Sequence, residues 1–235
     1  MGHVQDLWYS AGDDSEDRPT ARHGKGKRWK ARWIDPDGQE KSQAFTRKTL
    51  ARRPSVISGW LAGLPVGERY VGSGLGLRQG EITGLPLDGL DFLRRNVRVR
   101  LQVRLIGKTL VFAPPKGGRE RDVPLPDPVG LALAAHLEEF PARTVTLPWR
   151  EPGGKPRTET LVFVTSNGPI HRNGFNSYVW HPARRKARVP AGRENGMHAL
   201  RHHYASVLLS GGMDIGALSE FLGHHDPDFT LRVYT

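Results

Sequence analysis

The chain has 235 residues, which is enough for one large domain or two modest ones. It contains no cysteine, which excludes disulfides and thiolate metal sites and is typical of a cytoplasmic protein. A formal net charge of +11 predicts attraction to a polyanion, and nucleic acid is the commonest one. No apolar run is long enough to span a bilayer, so no membrane association is expected.

The N-terminal part changes charge abruptly, because residues 1–17 carry acids without Lys or Arg and residues 18–53 are strongly basic. Gly26–Ile34 and Gln39–Phe45 flank a stretch, Asp35–Gly38, that suits a type I turn. Trp and Ala alternate with basic residues in the first run, which predicts a β-hairpin with one aromatic and one cationic face. The cationic face can contact DNA, or the hairpin can be solvated with its Trp pair packed on a helix. The candidate DNA contacts are Lys25, Lys27, Arg28, Lys30 and Arg32.

Residues 54–71 are short and punctuated by Gly and Pro, so they predict a linker with at most one brief helix. The glycines from Gly72 onward suggest a dinucleotide fingerprint, but Leu77 stands where the third Gly belongs. The favoured interpretation is a helix that begins near Leu77 and carries Arg78 near its start. Arg78 there can bind a phosphate in a bidentate way, or it can simply pair with Glu81 or be solvated.

The middle of the chain predicts strands and one helix. Asn96–Leu105 alternates apolar and basic residues, as a single half-buried strand does. Thr109–Ala113 and Arg121–Val123 predict two more strands, joined by a hairpin tip that carries Lys116. Pro128–Phe140 predicts an amphipathic helix. Its apolar side is expected to hold Leu131, Ala134, Ala135 and Leu137.

Pro141–Thr160 is predicted to be rich in loops, and Leu161–Val164 to be a short buried strand. Arg172–Ala187 predicts a helix in two pieces around Pro182. Its core residues are expected to be Phe175, Tyr178 and Val179. Its basic residues Arg184, Arg185 and Lys186 are further candidates for contacts with DNA phosphates.

The C-terminal stretch concentrates chemically active side chains. Ala199–Ser210 predicts a helix that ends at a Gly pair, with Leu200, Tyr204, Val207 and Leu208 as its apolar stripe. His198 and Arg201 lie on a neighbouring face near its start, where a helix favours anions, so they suit a phosphoryl group.

Two further helices are predicted after this one. Asp214 caps the first, which ends at Gly223 and is followed directly by His224. Asp226 caps the second, which carries Tyr234 as a candidate nucleophile.

The same stretch allows two other interpretations. The four-residue spacing of His198 and His202 suits a metal, but Arg201 between them would repel a cation. Ala199–Leu222 also fits a helix-turn-helix, which would bind DNA without any chemistry.

Taken together, these motifs resemble the tyrosine recombinases, the phage-type integrases. HALRHHYASVLLSGG followed by LGHHDPDFTLRVYT resembles their His-x-x-Arg, Leu-Gly-His and Tyr signature. Upstream, GLGLRQGE resembles the first catalytic Arg motif and PPKGGRERDVPLP resembles the hairpin of the catalytic Lys. The match covers Gly74 to Thr235 in family order, and the basic N-terminal hairpin resembles an arm-type DNA-binding module.

The resemblance implies an α+β fold with a mainly helical catalytic domain, a small antiparallel sheet and a β-hairpin module before it. The implied domains are a DNA-binding module over 1–53, a linker over 54–71 and a catalytic domain over 72–235. The implied catalytic residues are Arg78, Lys116, His198, Arg201, His224 and Tyr234, with Glu81 supporting them from behind.

The implied reaction breaks and rejoins DNA through a 3′-phosphotyrosyl link, in integration or excision of a mobile element. Neither a metal nor another cofactor is required. The partners implied are double-stranded DNA and further copies of the chain on that DNA.

The chain also departs from the usual family plan. Only Arg52–Val71 lies where relatives have a core-binding domain, and the chain stops one residue after Tyr234, where relatives continue. We therefore expect a truncated recombinase with impaired activity. The alternatives are a non-catalytic DNA-binding remnant of an integrase and a structural nucleoid-like protein.

Overall fold

The computed structural model describes residues 3–11, 17–34, 40–45, 71–166, 168–192, 195–224, 228 and 230. The chain divides into two units, Met1–Gly63 with Ala183–Ala191 and Leu64–Pro182 with Gly192–Thr235. The predicted turn at Asp35–Gly38, nearly all of the predicted linker, and Tyr234 lie outside the described residues.

The first unit contains a three-stranded antiparallel sheet and a separate two-stranded one. Its strands are β1 (His3–Asp6), β2 (Tyr9–Ala11), β3 (Asp17–Pro19), β4 (Trp29–Ile34) and β5 (Glu40–Phe45). β4 and β5 pair as the predicted hairpin, with Trp29 opposite Phe45 and Ile34 opposite Glu40. β1 pairs with the other edge of β4, and β2 pairs with β3. The acidic N-terminal segment therefore supplies strands that its composition did not predict.

Arg28 holds the start of β4 to the N-terminal segment. Its Nη2 donates to Asp6 Oδ2 at 2.8 Å, and its Nε donates to both carboxylate oxygens. Its guanidinium also lies 5.0 Å from the Tyr9 ring centroid and 4.7 Å from that of Trp29. Burial alone would raise the pKa of Asp6, but the hydrogen bond from Arg28 lowers it. Among the predicted DNA contacts, Arg28 thus has a role inside its own unit, whereas Lys25 and Lys27 are exposed.

The second unit begins with two helical segments and five strands. Residues 71–74 are helical, and α1 (Gln79–Thr83) follows, as predicted from the motif around Arg78. A 3-10 turn (Leu87–Gly89) leads to β6 (Leu90–Asp91), β7 (Asn96–Val99), β8 (Gln102–Ile106), β9 (Thr109–Ala113) and β10 (Arg121–Pro124). β7 lies between β10 and β6 in one antiparallel sheet, and β8 pairs with β9 in another.

The prediction of one continuous strand over Asn96–Leu105 was therefore wrong. The alternation of buried residues continues through Leu101, but Arg100 leaves the ladder to contact Glu159 at 2.6 Å and Asp88 at 2.7 Å. The strands on either side of this break pair with different partners. For the same reason Lys116 lies not at the tip of a hairpin but in the loop joining two sheets.

α2 (Asp127–Glu139) matches the predicted helix, with Pro126 before it and Asp127 in its first turn. Its predicted apolar side was wrong in part, because Leu131 is 73% exposed and both alanines are exposed as well. Val129 and Leu133, four residues apart, are the buried residues. Fewer of the apolar residues of this helix therefore face the core than its sequence predicted.

The predicted loop over Pro141–Thr160 was wrong, because this segment forms a hairpin of β11 (Arg143–Pro148) and β12 (Pro156–Leu161). Hydroxyl pairs join the strands, with Thr146 and Thr158 2.8 Å apart. Both flanking prolines sit at strand ends, where a missing N–H is tolerated. The short strands β13 (Val164–Thr165) and β14 (Gly168–Pro169) follow.

α3 (Arg172–Phe175) continues through a π-helical turn (Asn176–Trp180) into α4 (His181–Lys186). Tyr178, predicted to be in the core, is 85% exposed, whereas Trp180 is 2% exposed. The π-turn explains the error, since it places residues five apart on one face and so aligns Trp180 with the buried Phe175.

The last described helices are α5 (His198–Ser210) and α6 (Ile215–Leu222), both as predicted. Asp214 caps α6 by accepting from the Ala217 N–H at 3.0 Å, and Gly223 ends it in the left-handed conformation. Val207, predicted for the α5 stripe, is 50% exposed. The fold is the predicted mixture of helices with small antiparallel sheets. No helix among the described residues is long and apolar enough to cross a membrane.

Candidate active site

Arg78 stands at the start of α1 and is anchored on both sides. Its backbone N–H and its Nη1 donate to the two carboxylate oxygens of Glu81, at 2.8 and 3.0 Å. Its Nη2 donates to the Gly223 carbonyl oxygen at 3.3 Å. The guanidinium is thus fixed between the first turn of α1 and the end of α6, with 19% of the side chain exposed.

Glu81 and Arg121 form a buried ion pair behind Arg78. Arg121 on β10 donates two hydrogen bonds to the Glu81 carboxylate, at 3.1 and 2.7 Å, and its Nε donates to the Phe221 carbonyl oxygen. Burial alone would raise the pKa of Glu81, but the hydrogen bonds and charge of Arg121, with the charge of Arg78, lower it to about 2. Glu81 is therefore a carboxylate at neutral pH, and it orients both arginines.

Arg201 on α5 joins three parts of the second unit. Only 1% of the residue is exposed. Its Nη1 donates to the Gly76 carbonyl oxygen at 2.8 Å, and its Nη2 donates to the Leu222 carbonyl oxygen and to His224 Nε2, the latter at 3.1 Å. The two carbonyl oxygens that accept from this buried guanidinium carry no net charge.

His224 follows α6 and lies between Arg201 and Thr230. Since Arg201 can only donate, His224 Nε2 is the acceptor and the proton of the neutral ring is on Nδ1, which donates to Thr230 Oγ1 at 2.8 Å. Burial and the positive charges of Arg201 and Arg78 lower the pKa of His224 to about 4. The imidazole is therefore neutral at pH 7.

Gly223 permits the convergence of these side chains. Its φ is 61°, and a Cβ there would lie 3.1 Å from Arg121 Cδ. Any other residue would be strained and would crowd Arg121 at the point where the Gly223 carbonyl meets Arg78.

Lys116 lines a pocket of about 530 Å³ together with Arg78. The loop of Lys116 also contacts the His224 segment, because Arg119 donates to the His224 carbonyl oxygen at 3.2 Å. The structure therefore brings the predicted Lys116 loop to the site.

His198 is exposed at the start of α5, and its ring packs edge-on against that of His202 with 4.6 Å between centroids. In its protonated form His198 would help to lower the pKa of His224. Within the described residues, no group of three or more His, Asp and Glu side chains is placed to hold a metal ion.

Tyr204 is the tyrosine of α5, and it is unsuited to be a nucleophile. It is 7% exposed, and burial raises its pKa to about 12. The predicted nucleophile Tyr234 lies outside the described residues.

Of the predicted phosphate contacts on α4, Arg184 donates to the Val189 carbonyl oxygen at 2.8 Å, and Arg185 and Lys186 are exposed.

The phage integrase family model matches residues 73–235, which include every side chain of this site. The chain belongs to the phage integrase family. Integrase relatives include the tyrosine recombinase XerD of Pseudomonas aeruginosa, 33% identical over 162 residues. That alignment covers 68% of this chain and 45% of the relative. A XerC-like tyrosine recombinase of Caldanaerobacter subterraneus is 29% identical over 177 residues, which are 69% of this chain and 43% of the relative. The integrase chain thus matches less than half the length of these relatives.

Solved structures agree on the integrase fold. The Tn1549 transposon integrase in complex with a circular intermediate DNA has a TM-score of 0.61 and 23% identity, covering 79% of this chain and 60% of that one. XerA recombinase has a TM-score of 0.53 and 19% identity, covering 80% and 57%.

Three residues of the integrase site were not singled out from the sequence: Arg119, Arg121 and Thr230. Arg121 gave one usable signal, because it shares a strand face with the apolar Val123 and so is expected to point inward. Nothing in the sequence connects Thr230 with His224, since their contact depends on the path of the chain after α6.

Proposed function

We propose that this integrase cuts and rejoins DNA strands through a 3′-phosphotyrosyl intermediate formed by Tyr234. The observation that carries the proposal is the convergence of Arg78, Arg201 and His224 in one hydrogen-bonded network. Lys116 lines the pocket that contains Arg78. These groups come from separate parts of the chain, and their common chemistry is the binding of a phosphate.

Arg78 and Arg201 supply positive charge where the reaction accumulates negative charge. Attack on a phosphodiester produces a five-coordinate phosphorane, and guanidinium groups stabilise its non-bridging oxygens. Both guanidiniums are already oriented by carbonyl oxygens or by Glu81, so little reorganisation is needed. The same charges lower the free energy of the tyrosine phenolate, whose ordinary pKa of about 10 makes it a poor nucleophile.

The bonds and protons of the step balance without a cofactor. The Tyr234 oxygen bonds to phosphorus, and the bond from phosphorus to the 5′ oxygen breaks. Lys116 donates a proton to the leaving 5′ oxygen, and His198 accepts the tyrosine proton. Because the phosphotyrosyl link keeps the energy of the phosphodiester, attack by a 5′-hydroxyl reverses the step and joins the strands.

The basic hairpin of the first unit suits DNA contact outside this chemistry. Lys25 and Lys27 are exposed in the segment that leads into β4, and Arg32 is exposed on β4 itself. Exchange between two duplexes requires more than one cleaving copy, so we propose that the chain self-associates on double-stranded DNA. The biological outcome in this proposal is integration or excision of a mobile element, as the name of the Tn1549 transposon integrase suggests.

Covalent trapping tests the proposal. A library of nicked duplexes with randomised sequence loses the short 5′-hydroxyl strand after cleavage, so the covalent complex accumulates and survives denaturing electrophoresis. We expect an adduct from the parent chain, none from Tyr234→Phe, and an unchanged amount from the matched control Tyr178→Phe, whose ring is 85% exposed.

Two outcomes would overturn the proposal. An adduct that persists in Tyr234→Phe would assign the nucleophile elsewhere. A parent chain that retards DNA in a gel but forms no adduct would support the alternative function, DNA binding without cleavage.

A further inference from the structure

The pocket at Arg78 and Lys116 extends beyond the residues of the proposed reaction. Its other cationic lining residues are Arg104 and Arg150. Arg104 lies on β8, on the same strand face as Gln102, which also lines the pocket. Arg150 comes from the turn of the β11–β12 hairpin. None of the residues that line this pocket is an Asp or a Glu.

Arg104 and Arg150 differ from most described arginines of the second unit. Arg95, Arg98, Arg100 and Arg157 all form ion pairs with carboxylates. By contrast, the described residues place no carboxylate within ion-pair distance of Arg104, Lys116 or Arg150. Like charges gathered without counterions repel one another, and binding of an anion removes that repulsion.

The backbone at Arg150 is held in an uncommon conformation. Its φ is 69°, a left-handed value that an Arg seldom adopts. The Arg150 N–H donates to the Phe112 carbonyl oxygen on β9 at 2.7 Å, and the Trp149 N–H donates to the Lys155 carbonyl oxygen at 2.9 Å. The bond to Phe112 docks the hairpin turn on the strand that leads to the Lys116 loop, and the bond to Lys155 lies within the turn itself. Such strain persists where surrounding structure enforces it, and it is concentrated at functional sites.

We propose that Arg104 and Arg150 together hold one backbone phosphate of duplex DNA, next to the phosphate bound at Arg78. The pocket volume of about 530 Å³ exceeds what a single phosphate needs and suits a segment of nucleotide size. The β11–β12 hairpin thereby acts as a DNA-positioning element that presents Arg150. This inference rests on the proposed function for its ligand, and it adds a second phosphate site to it.

The test measures DNA binding without chemistry, in the Tyr234→Phe background. Affinity for a fluorescent duplex of random sequence is followed by anisotropy across a range of salt concentrations. The variants are Arg104→Gln, Arg150→Asn and their combination; Asn is chosen because it tolerates the left-handed conformation. The matched control is Arg143→Gln, an exposed arginine at the far end of the same hairpin.

Removal of one bound phosphate lowers the slope of log affinity against log salt by about 0.9, and weakens binding about eightfold at 0.1 M salt. Because both arginines share one phosphate, we expect the double variant to lose about 0.9 in slope, and each single variant to lose most of that amount. Arg143→Gln should retain the parent slope. Circular dichroism identifies any variant that fails to fold. The double variant Arg104→Lys with Arg150→Lys preserves both charges, and it should therefore keep the parent salt slope.

Two results would overturn this site: a double variant with the parent slope, or one that loses no more than Arg143→Gln does. The proposed reaction has a separate readout, since covalent trapping can fail while the slope change is observed. Conversely, if the parent chain forms the adduct but the double variant keeps the parent slope, the second phosphate site is rejected and the proposed reaction still stands.

Discussion

Arg121 and Glu81 show how the candidate site depends on two residues that need not touch DNA. Their side chains are 1% and 0% exposed, and together they hold Arg78 and the Phe221 carbonyl in place. A carboxylate buried to this extent remains charged only because two guanidiniums compensate for its lost hydration. The candidate site is therefore supported by a buried ion pair that forms with the fold.

Removal of Arg121 should be costly for this reason. We expect Arg121→Met to lower the free energy of unfolding by about 3–5 kcal/mol, because it leaves a buried charge without its main partner. Urea denaturation at pH 7 measures the change. Arg98→Met is the matched control, since its ion pairs on the neighbouring strand are about half exposed and should matter far less. The double change Glu81→Gln with Arg121→Met should recover part of the loss, and equal losses for Arg121→Met and Arg98→Met would contradict the prediction.

His224 is expected to take up a proton when DNA binds. In the free protein its pKa is about 4 and Nε2 accepts from Arg201, so Nε2 cannot donate to a phosphate. The negative charge of a bound phosphate offsets the positive charges that lower this pKa, so DNA binding should raise the pKa of His224. Since the bound pKa is higher than the free one, the His224 contribution to DNA affinity increases as pH falls from 7 towards 4.

NMR titration of the imidazole protons, with and without DNA in the Tyr234→Phe chain, measures this shift. His203 is an internal control, because burial alone lowers its pKa to about 4 and it should titrate there in both states. A His224 midpoint that stays near 4 in the complex would count against contact between this ring and a phosphate.

At the scale of single residues, several side chains that the sequence motifs singled out lie close together in the structure. Arg78, Glu81, Arg201 and His224 meet in one network, and Lys116 lines the adjoining pocket. The motifs did not single out Arg121, whose only signal was its place on the same strand face as the apolar Val123. They also did not indicate that Arg201 would be buried, since its carbonyl partners Gly76 and Leu222 are distant in sequence.

At the scale of elements, the support of Arg78 depends on close packing of α1 against β8. Gly84 ends α1, and a Cβ there would lie 2.8 Å from the Val103 backbone nitrogen. Backbone cannot yield as a flexible side chain can. The absence of a side chain at this position is therefore a condition for α1 to sit on the strand.

Gly84→Ala should consequently lower the free energy of unfolding by about 1–3 kcal/mol, the usual cost of overpacking. Gly153→Ala is the control, because its added methyl group meets no atom within 4 Å. Thermal denaturation followed by circular dichroism compares the two variants. Equal midpoints would show that α1 and β8 can separate without cost.

Elements with caps or clear periodicity were predictable, and elements defined by distant partners were not. α2, α5 and α6 follow from their turn residues and apolar spacing. The β11–β12 hairpin was missed because Pro, Thr and charged residues dominate it, and its strands are stabilised by pairing with each other. The division at Arg100 was missed because it depends on Glu159, which is far along the chain.

At the scale of the whole molecule, the positive side chains behind the net charge of +11 are expected to serve different purposes. Lys25 and Lys27 of the first unit are exposed. If they lie outside the reacting centre, they contribute to DNA affinity and not to the rate of the reaction. Lys116, by contrast, is proposed to act on the leaving oxygen. Interactions that are equal in the ground and transition states change affinity alone, whereas those made in the transition state change the rate at saturation.

The two classes of lysine should therefore separate in one experiment. We expect Lys25→Gln with Lys27→Gln to weaken DNA binding and to reduce its salt slope by about 0.9 for each phosphate that is no longer bound, while the rate of adduct formation at saturating DNA is unchanged. Lys116→Met should reduce that rate by about 10²–10⁴-fold, as loss of a general acid does. Lys108→Gln, an exposed turn lysine of the second unit, controls for the loss of one charge. If the first-unit variant lowered the saturated rate as Lys116→Met does, Lys25 and Lys27 would have to take part in positioning the scissile phosphate, and the proposal that they contribute to affinity alone would be wrong.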